Sequence, residues 1–226
     1  MRGVFVTGTD TDSGKTRVAV ALIQRLRESG LRVAPFKPVA AGAEETADGL
    51  RNQDALRLIA AAGGDWFYER VNPYCFAPPV SPHLAAAEAR VIIEPVLLRD
   101  VCRSLAAEAD LVVVEGAGGW LAPLGDGWGI EGLATELGLP VVLVVGLRLG
   151  CLNHALLSAA RIQASGLPLL GWVGSVLDPQ MSRLEQNIQT LEHSLGRASL
   201  GILPHLGAGE SGAAYLGPLS AAVISI

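Results

Sequence analysis

Short β-branched and aromatic runs alternate along the chain with stretches whose apolar positions recur every three or four residues. Val4 to Val6 is the first run and predicts a buried strand. Val18, Leu22 and Leu26 then mark one face of a helix, with Gly30 as its stop, and Arg32 to Phe36 predicts a second strand. From Pro38 to Leu50 the chain is polar, with several Gly and Ala residues and no clear period. Asn52 is placed to cap a helix running to about Ala62, where Gly63-Gly64 ends it. Trp66 to Pro79 reads as irregular apart from a short strand near Tyr74-Cys75-Phe76. Ser81-Pro82 opens a helix with proline in its first turn, and another starts near Pro95 with Val96, Leu97, Val101 and Leu105 on one face. Leu111 to Val114 predicts a strand ending in Glu115-Gly116-Ala117-Gly118-Gly119, followed by a glycine-rich loop to Gly129 and a short helix to Leu137. Val141 to Val145, Leu169 to Val176 and Leu200 to Leu203 predict strands, separated by helices over Cys151 to Ala164 and Ser182 to Leu195. The tail from Ser211 to Ile226 carries no assignable pattern.

Strands alternating with helices predict an α/β fold, a mostly parallel sheet with helices on both faces. No linker, repeat or low-complexity block interrupts the pattern, so residues 1–226 read as one domain. Composition agrees: 50% of residues are hydrophobic and only 17% charged, as suits a sheet buried on both sides. A net charge of −5 and a pI near 5.4 exclude the basic face that a nucleic-acid partner requires. The longest apolar run, Pro140 to Gly146, is too short to span a bilayer. A strand starting at the second residue leaves no room for a signal peptide, and Cys75, Cys102 and Cys151 are spaced as isolated buried thiols rather than metal ligands. A cytoplasmic location is therefore expected.

The chemistry concentrates in the first turn. Residues 3–16 read Gly-Val-Phe-Val-Thr-Gly-Thr-Asp-Thr-Asp-Ser-Gly-Lys-Thr, a strand, a glycine loop and a helix start. Glycines let backbone N–H groups turn inward around an anion, and the helix N-terminus adds partial positive charge. The Lys15 ammonium is then placed for the outer phosphates, and the Thr16 hydroxyl for Mg²⁺. Five residues, Thr9 to Ser13, separate Gly8 from Gly14, one more than the general phosphate-loop template. The fold class is accordingly the P-loop NTPase type.

In such sheets, ligands sit beyond the C-terminal strand ends. That edge carries Thr7 to Thr16, Lys37, Glu115 to Gly119, Gly146 to Gly150, Ser175-Val176 and Pro204-His205-Leu206. Glu115 follows four apolar residues, where a phosphate-loop enzyme places a carboxylate for Mg²⁺, and Asp54 lies near a helix start and can supply another oxygen. Lys37 ends a strand one element after the loop and would face a transferring phosphoryl group or an anionic substrate. His83, His154, His193 and His205 show no paired metal-ligand spacing, and His83 and His154 read as satisfied structural imidazoles. Trp66, Trp120, Trp128 and Trp172 read as packing residues.

These residues resemble the dethiobiotin synthetase family through most of the chain. The matching stretches are Phe5 to Thr11, Gly14-Lys15-Thr16, Lys37-Pro38-Val39, Leu50-Arg51-Asn52, Asn72-Pro73-Tyr74 and Ser81-Pro82-His83, then Val114 to Trp120, Leu149-Gly150-Cys151, Asn153-His154 and Gly171-Trp172-Val173. A five-residue gap in the phosphate loop is normal for that family.

The resemblance implies a ligase that closes a ureido ring. Its substrates would be 7,8-diaminopelargonic acid, CO₂ and MgATP, its products dethiobiotin, ADP and phosphate, and its intermediates a carbamate and a carbamic-phosphoric anhydride. Lys15 and Lys37 would be catalytic, and Thr16, Asp54 and Glu115 would hold the metal. The expected nucleotide set is Asp12, Ser13, Gly14, Lys15, Thr16 and Arg17, with Asp54, Glu115, Gly116, Ala117 and Gly118, then Ser175, Val176, Pro204, His205 and Leu206. The expected substrate set is Thr11, Lys37, Ala41, Gly118, Arg148, Gly150, Cys151 and Asn153. The resemblance also implies a homodimer, with Gly150 to Asn153 receiving the substrate's carboxylate tail from the partner subunit.

Four positions depart from the family pattern: Asp12 stands where Glu is common, Ala41 where a hydroxyl residue contacts the diamine, Arg148 where Lys is found, and Ser175 where an Asn reads the adenine edge. A hydroxyl has less fixed geometry than an amide, so Ser175 predicts weaker base selectivity. The rivals are a small-molecule kinase, which would not consume CO₂, and a partner-binding switch ATPase. The switch reading lacks its additional lysine, since Thr9 to Ser13 contains none.

Overall fold

The computed structural model describes residues 1–207 and 210–226. Among these, six strands form one sheet: β1 (Gly3–Gly8), β2 (Val33–Phe36), β3 (Leu111–Gly119), β4 (Val141–Leu147), β5 (Leu169–Val176) and β6 (Ile202–Leu203). Their spatial order is β6-β5-β4-β1-β3-β2, and every neighbouring pair is parallel. Parallel strands need crossovers, supplied by helices α1 (Lys15–Glu28), α2 (Gln53–Ala62), α3 (Tyr68–Val71), α4 (Pro82–Glu88), α5 (Pro95–Ala107), α6 (Ile130–Leu137), α7 (Cys151–Ala164) and α8 (Leu184–Leu195). The chain leaves β1 to one side for β2, returns to insert β3, and then builds outward from the other side with β4. The crevice beside β1 is thus the switch point where α/β sheets hold ligands.

The core is continuous across both faces. Val4, Phe5, Val6, Val112, Val113, Val114, Leu143, Val144 and Trp172 are buried, and so are Val18, Leu22 and Leu26 of α1. The tryptophans pack as expected: Trp66, Trp120 and Trp172 are buried, Trp128 is partly so, and Trp120 meets Phe5 edge to face at 6.3 Å.

Three readings change. The polar stretch after Pro38 contains strand Val39–Ala41, paired with Tyr74–Phe76, and a hairpin of Glu44–Thr46 with Gly49–Arg51. These strands are too short to show a period. On α5 the buried face is Leu98, Cys102 and Leu105, whereas Val96 and Leu97 are exposed. The i, i+4, i+7 set faces the sheet, and Val96 and Leu97 fall outside it. The tail forms a short 3₁₀ turn at Ala213–Tyr215 and a helix, α9 (Gly217–Ile224), whose apolar residues surround it on all sides and leave no amphipathic signature.

All three cysteines are free, but Cys75 is only half buried. His154 is exposed, and the buried Nδ1 of His83 has no hydrogen-bond partner among the described residues, so neither is the satisfied imidazole expected.

Candidate active site

The phosphate loop is shaped by backbone sterics. Asp12 (φ +57°) and Gly14 (φ +91°) both adopt left-handed conformations, which bend the loop back on itself and accommodate its additional residue. A Cβ on Gly8 would lie 2.1 Å from Ser13 Oγ, and one on Gly14 would lie 2.2 Å from Ser175 Oγ, so both positions require glycine. Helix α1 starts at Lys15 with Gly14 as its cap, no side-chain cap and no acidic residue in its first turn. Its first N–H groups are therefore left for an anion.

Around this loop lies a cleft of about 870 Å³. Thr11, Asp12, Gly14, Lys15, Thr16 and Arg17 line it from the loop side. Lys37, Ala41 and Asp54 also line it, together with Glu115, Ala117, Gly118 and His205. Ser13 is buried beneath the loop, and Ser175 is buried behind Gly14. Gly116 presents its carbonyl to Lys37 at 3.3 Å. Val176, Pro204 and Leu206 do not form the cleft wall, although Leu177 and His205 beside them do. Arg148, Gly150, Cys151 and Asn153 lie outside this chain's cleft: Cys151 is buried, the other three are exposed, and Arg148 pairs with Asp10 at 2.8 Å.

The charged centre is compact. Lys37 Nζ donates to Glu115 Oε1 at 2.6 Å and to Asp54 Oδ2 at 3.3 Å. With the Gly116 carbonyl, these contacts engage all three of its donors. The Thr16 hydroxyl donates to the same Glu115 oxygen at 2.8 Å. Register explains how Glu115 reaches this point. Val6 pairs with Glu115 but Gly8 pairs with Gly119, so β3 bulges beyond Glu115 and turns its glycines around the loop.

The two lysines hold their protons differently. Burial, reinforced by the Lys37 charge, pulls Lys15 down to about 8. Burial also acts against the charge on Lys37, but Glu115 and Asp54 outweigh it and raise its pKa. For Asp54, burial is likewise outweighed, chiefly by the Lys37 charge beside it, so its carboxyl stays below the usual range. At rest, Lys15 Nζ is docked on the Asp10 carbonyl at 2.7 Å.

The donor set fits Mg²⁺. Glu115 Oε2 is buried without a hydrogen-bond partner among the described residues, and Thr16 Oγ1 and Asp54 stand beside Glu115. Among the described residues no group of three His, Cys, Asp or Glu side chains forms a complete cage. Few protein oxygens, with phosphate and water completing the shell, is the usual arrangement for Mg²⁺.

Comparison with known proteins now decides the family. The chain is 53% identical to the ATP-dependent dethiobiotin synthetase of Pseudomonas aeruginosa (strain UCBPP-PA14) over 207 residues, 91% of each chain. The chain belongs to the dethiobiotin synthetase family. ATP-dependent dethiobiotin synthetases from Aromatoleum aromaticum and Escherichia coli (strain K12) are 49% and 45% identical, covering 91% and 93% of each chain. The family model described as an AAA domain matches residues 2–210. Among solved structures, the chain resembles a ParA family ATPase from Chlorobium tepidum (TM-score 0.59, 13% identity, 100% and 98% of the two chains covered). It also resembles a cobyrinic acid a,c-diamide synthase from Mycobacterium smegmatis (TM-score 0.55, 15% identity, 99% and 93% covered). At these identities the likeness establishes the fold, which is that of P-loop NTPases.

Sequence reasoning missed several cleft residues. Arg57 lines the cleft one turn after Asp54 on the same face of α2, and its charge helps hold Asp54 ionised. The helical period predicted for α2 was sufficient to find it. Asn52, read only as a cap, also lines the cleft, as do Pro79 to Pro82. Ser81-Pro82 belongs to a stretch matched to the family, which was the available signal, but only the fold brings that segment to the cleft.

Proposed function

We propose that this chain forms dethiobiotin from 7,8-diaminopelargonic acid, CO₂ and ATP, with release of ADP and phosphate. The observation that carries the reading is a buried, charged Lys37 held by Glu115 and Asp54 in the same cleft as an uncapped phosphate loop. An uncapped loop alone serves any nucleotide enzyme. A second buried cation in the same cleft is suited to bringing two anions together, here a carbamate and a γ-phosphate.

One amine of the diamine takes up CO₂ and loses a proton, giving the carbamate. A carbamate oxygen attacks the γ-phosphorus, and the bond to ADP breaks. The second amine then attacks the carbamoyl carbon, the C–O bond to phosphate breaks, and the amine proton leaves. Lys15 leaves the Asp10 carbonyl to meet the outer phosphates. Lys37 keeps its short contact to Glu115 and turns from its two 3.3 Å partners toward the carbamate and the transferring phosphoryl group. Thr16, Asp54 and Glu115 would hold Mg²⁺, which when bound neutralises charge on the β- and γ-phosphate oxygens. The rest is positioning and charge.

We place the substrate's carboxylate tail at the start of α7. Gly150 (φ +95°) leaves that helix without a side-chain cap, and its first turn holds no acidic residue, so its N–H groups suit a carboxylate. This end lies outside the chain's own cleft, which favours delivery across a homodimer. Leu149, just before α7, is 95% exposed and Leu157, within it, is 64% exposed, apolar side chains that a second copy would cover. Such an enzyme works in the cytoplasm. Among the described residues no helix is long and apolar enough to cross a membrane.

The test uses purified protein, the diamine, MgATP and labelled bicarbonate. Label entering dethiobiotin in equal amount to phosphate released is expected. Phosphate release without label would point instead to a switch ATPase, which the absence of a loop lysine between Thr9 and Ser13 disfavours.

A further inference from the structure

Beside the cleft, a second polar cluster links Tyr68, Asn52, Asn72 and Cys75. Tyr68, on the four-residue α3, points its hydroxyl inward. That oxygen accepts the Asn52 backbone N–H at 2.6 Å and donates to Asn72 Oδ1 at 2.9 Å, with Cys75 Sγ at 3.3 Å. Because the phenolic proton is committed to Asn72, the thiol is the donor in the third contact. Asn72 passes the connection on: its amide donates to the Lys37 carbonyl at 2.7 Å and to the Tyr74 carbonyl at 3.2 Å. Asn52 does the same on the other side. Its side-chain oxygen accepts the Asp54 N–H at 3.0 Å, and its amide donates to the Ala41 carbonyl at 3.4 Å.

One hydroxyl thus stands between the backbone carrying Lys37 and the backbone carrying Asp54. Those two segments are 17 residues apart in the chain, since Lys37 follows β2 and Asp54 stands in the first turn of α2. Their side chains meet at 3.3 Å, the looser of the lysine's two ion pairs. The outer face of the ring is closed by the Arg51 guanidinium at 4.2 Å, so the phenol is fixed in direction as well as position.

We propose that Tyr68 and Asn72 are positioning residues, whose hydrogen bonds set the distance between the Lys37 ammonium and the Asp54 carboxylate. The proposal rests on the reading of the site given above. Neither residue lines the cleft, so they act through Lys37, Asp54 and Ala41. Burial keeps the phenol protonated far above neutral pH, so the donation to Asn72 persists throughout the working range. A misplacement of about 1 Å in a positioned group is enough to cost about 100-fold in rate.

The test compares the unchanged protein with Tyr68→Phe, which removes one oxygen and keeps the ring under Arg51, and with Asn72→Ala. Cys75→Ala is the control, because the thiol is not on the path to Lys37 or Asp54. Turnover is expressed per nucleotide-binding site, so that loss of folded protein cancels. Tyr68→Phe and Asn72→Ala are expected to lower kcat about 10- to 100-fold with the KM for ATP within about twofold, while Cys75→Ala stays within about twofold in both. A second readout is independent of turnover: the rate at which an acylating reagent modifies Lys37, followed by peptide mass, is expected to rise at least about fivefold in the first two variants and not in the control. Wild-type kcat per site together with unchanged Lys37 acylation would overturn the proposal. Absence of dethiobiotin from the unchanged protein would overturn the reaction assignment instead, and the acylation rates would still decide the positioning.

Discussion

Helices α1 and α2 present their N-termini to the same cleft and begin in opposite ways. α1 starts on a left-handed glycine with no side-chain cap, and the basic Lys15 is its first residue. α2 starts on Asn52, whose side chain closes its first N–H groups, and it carries acidic Asp54 in its first turn. The first end is left unfinished and takes its partner from outside. The second is completed by the protein and hands its order on to Lys37. Two lysines in one cleft consequently differ in kind. Lys15 is buried near another cation and holds its proton weakly, whereas Lys37 is locked by two carboxylates. A binding charge has to be exchangeable, and a charge that organises chemistry has to stay.

The largest effect that would break this comparison is expected at Lys37. Lys37→Ala leaves Glu115 and Asp54 without their cation, and ring closure should fall by roughly 10²–10³-fold or more. Nucleotide binding, measured by equilibrium dialysis, should remain detectable. Near wild-type turnover would remove Lys37 from the chemistry.

Lys15→Met should act on binding and stability in opposite directions. ATP affinity should weaken at least about tenfold. The ligand-free protein should become more stable at pH 7 by roughly 1–3 kcal/mol in denaturant unfolding. The sign follows from the lowered pKa. Lys15 is charged at pH 7 in a fold that disfavours the charge, so the penalty is present below about 8 and disappears above the unfolded value of about 10.4. Lys37 has the opposite sign: its raised pKa stabilises the fold below the unfolded value, and this is lost as pH rises through the folded one. A destabilised Lys15→Met protein would mean that the loop lysine is paired rather than exposed to repulsion.

The smallest effect sharpens the nucleotide side alone. Ser175 carries a hydroxyl in place of an amide and is buried behind Gly14 rather than on the cleft wall, so it gives a base no paired donor and acceptor. GTP and CTP should therefore support turnover within about tenfold of ATP, a gap of about one well-made hydrogen bond. A strict ATP preference in a competition assay would show that other groups read the base.

The same two regions explain what was legible in the chain. The α1 end is written in contiguous residues, Gly8 to Thr16, and each carries its own steric or electrostatic reason. The sequence therefore reveals the loop, the strand before it and the helix after it together. The capped start of α2 was legible for the same reason. What joins Lys37, Asp54 and Glu115 was less so, because β2, α2 and β3 meet only once the strand order is known. Apolar periodicity cannot supply that order. Asn72 and Tyr74 stood out in a matched stretch, yet their bonds to Lys37 and Glu94 depend on a crossover that no local pattern describes. The short strands at Val39–Ala41 and Glu44–Thr46 were missed because three residues are too few to alternate visibly.

The difference between the two lysines is measured most directly by nitrogen-15 NMR of the lysine ammonium groups in the ligand-free protein, with Lys15 and Lys37 assigned from their single variants. Lys15 should titrate with a midpoint near 8, while Lys37 keeps its proton beyond the ordinary lysine range. Loss of the Lys37 proton at or below the Lys15 midpoint would contradict this, because the carboxylates would then not be holding the charge on which the proposed chemistry depends.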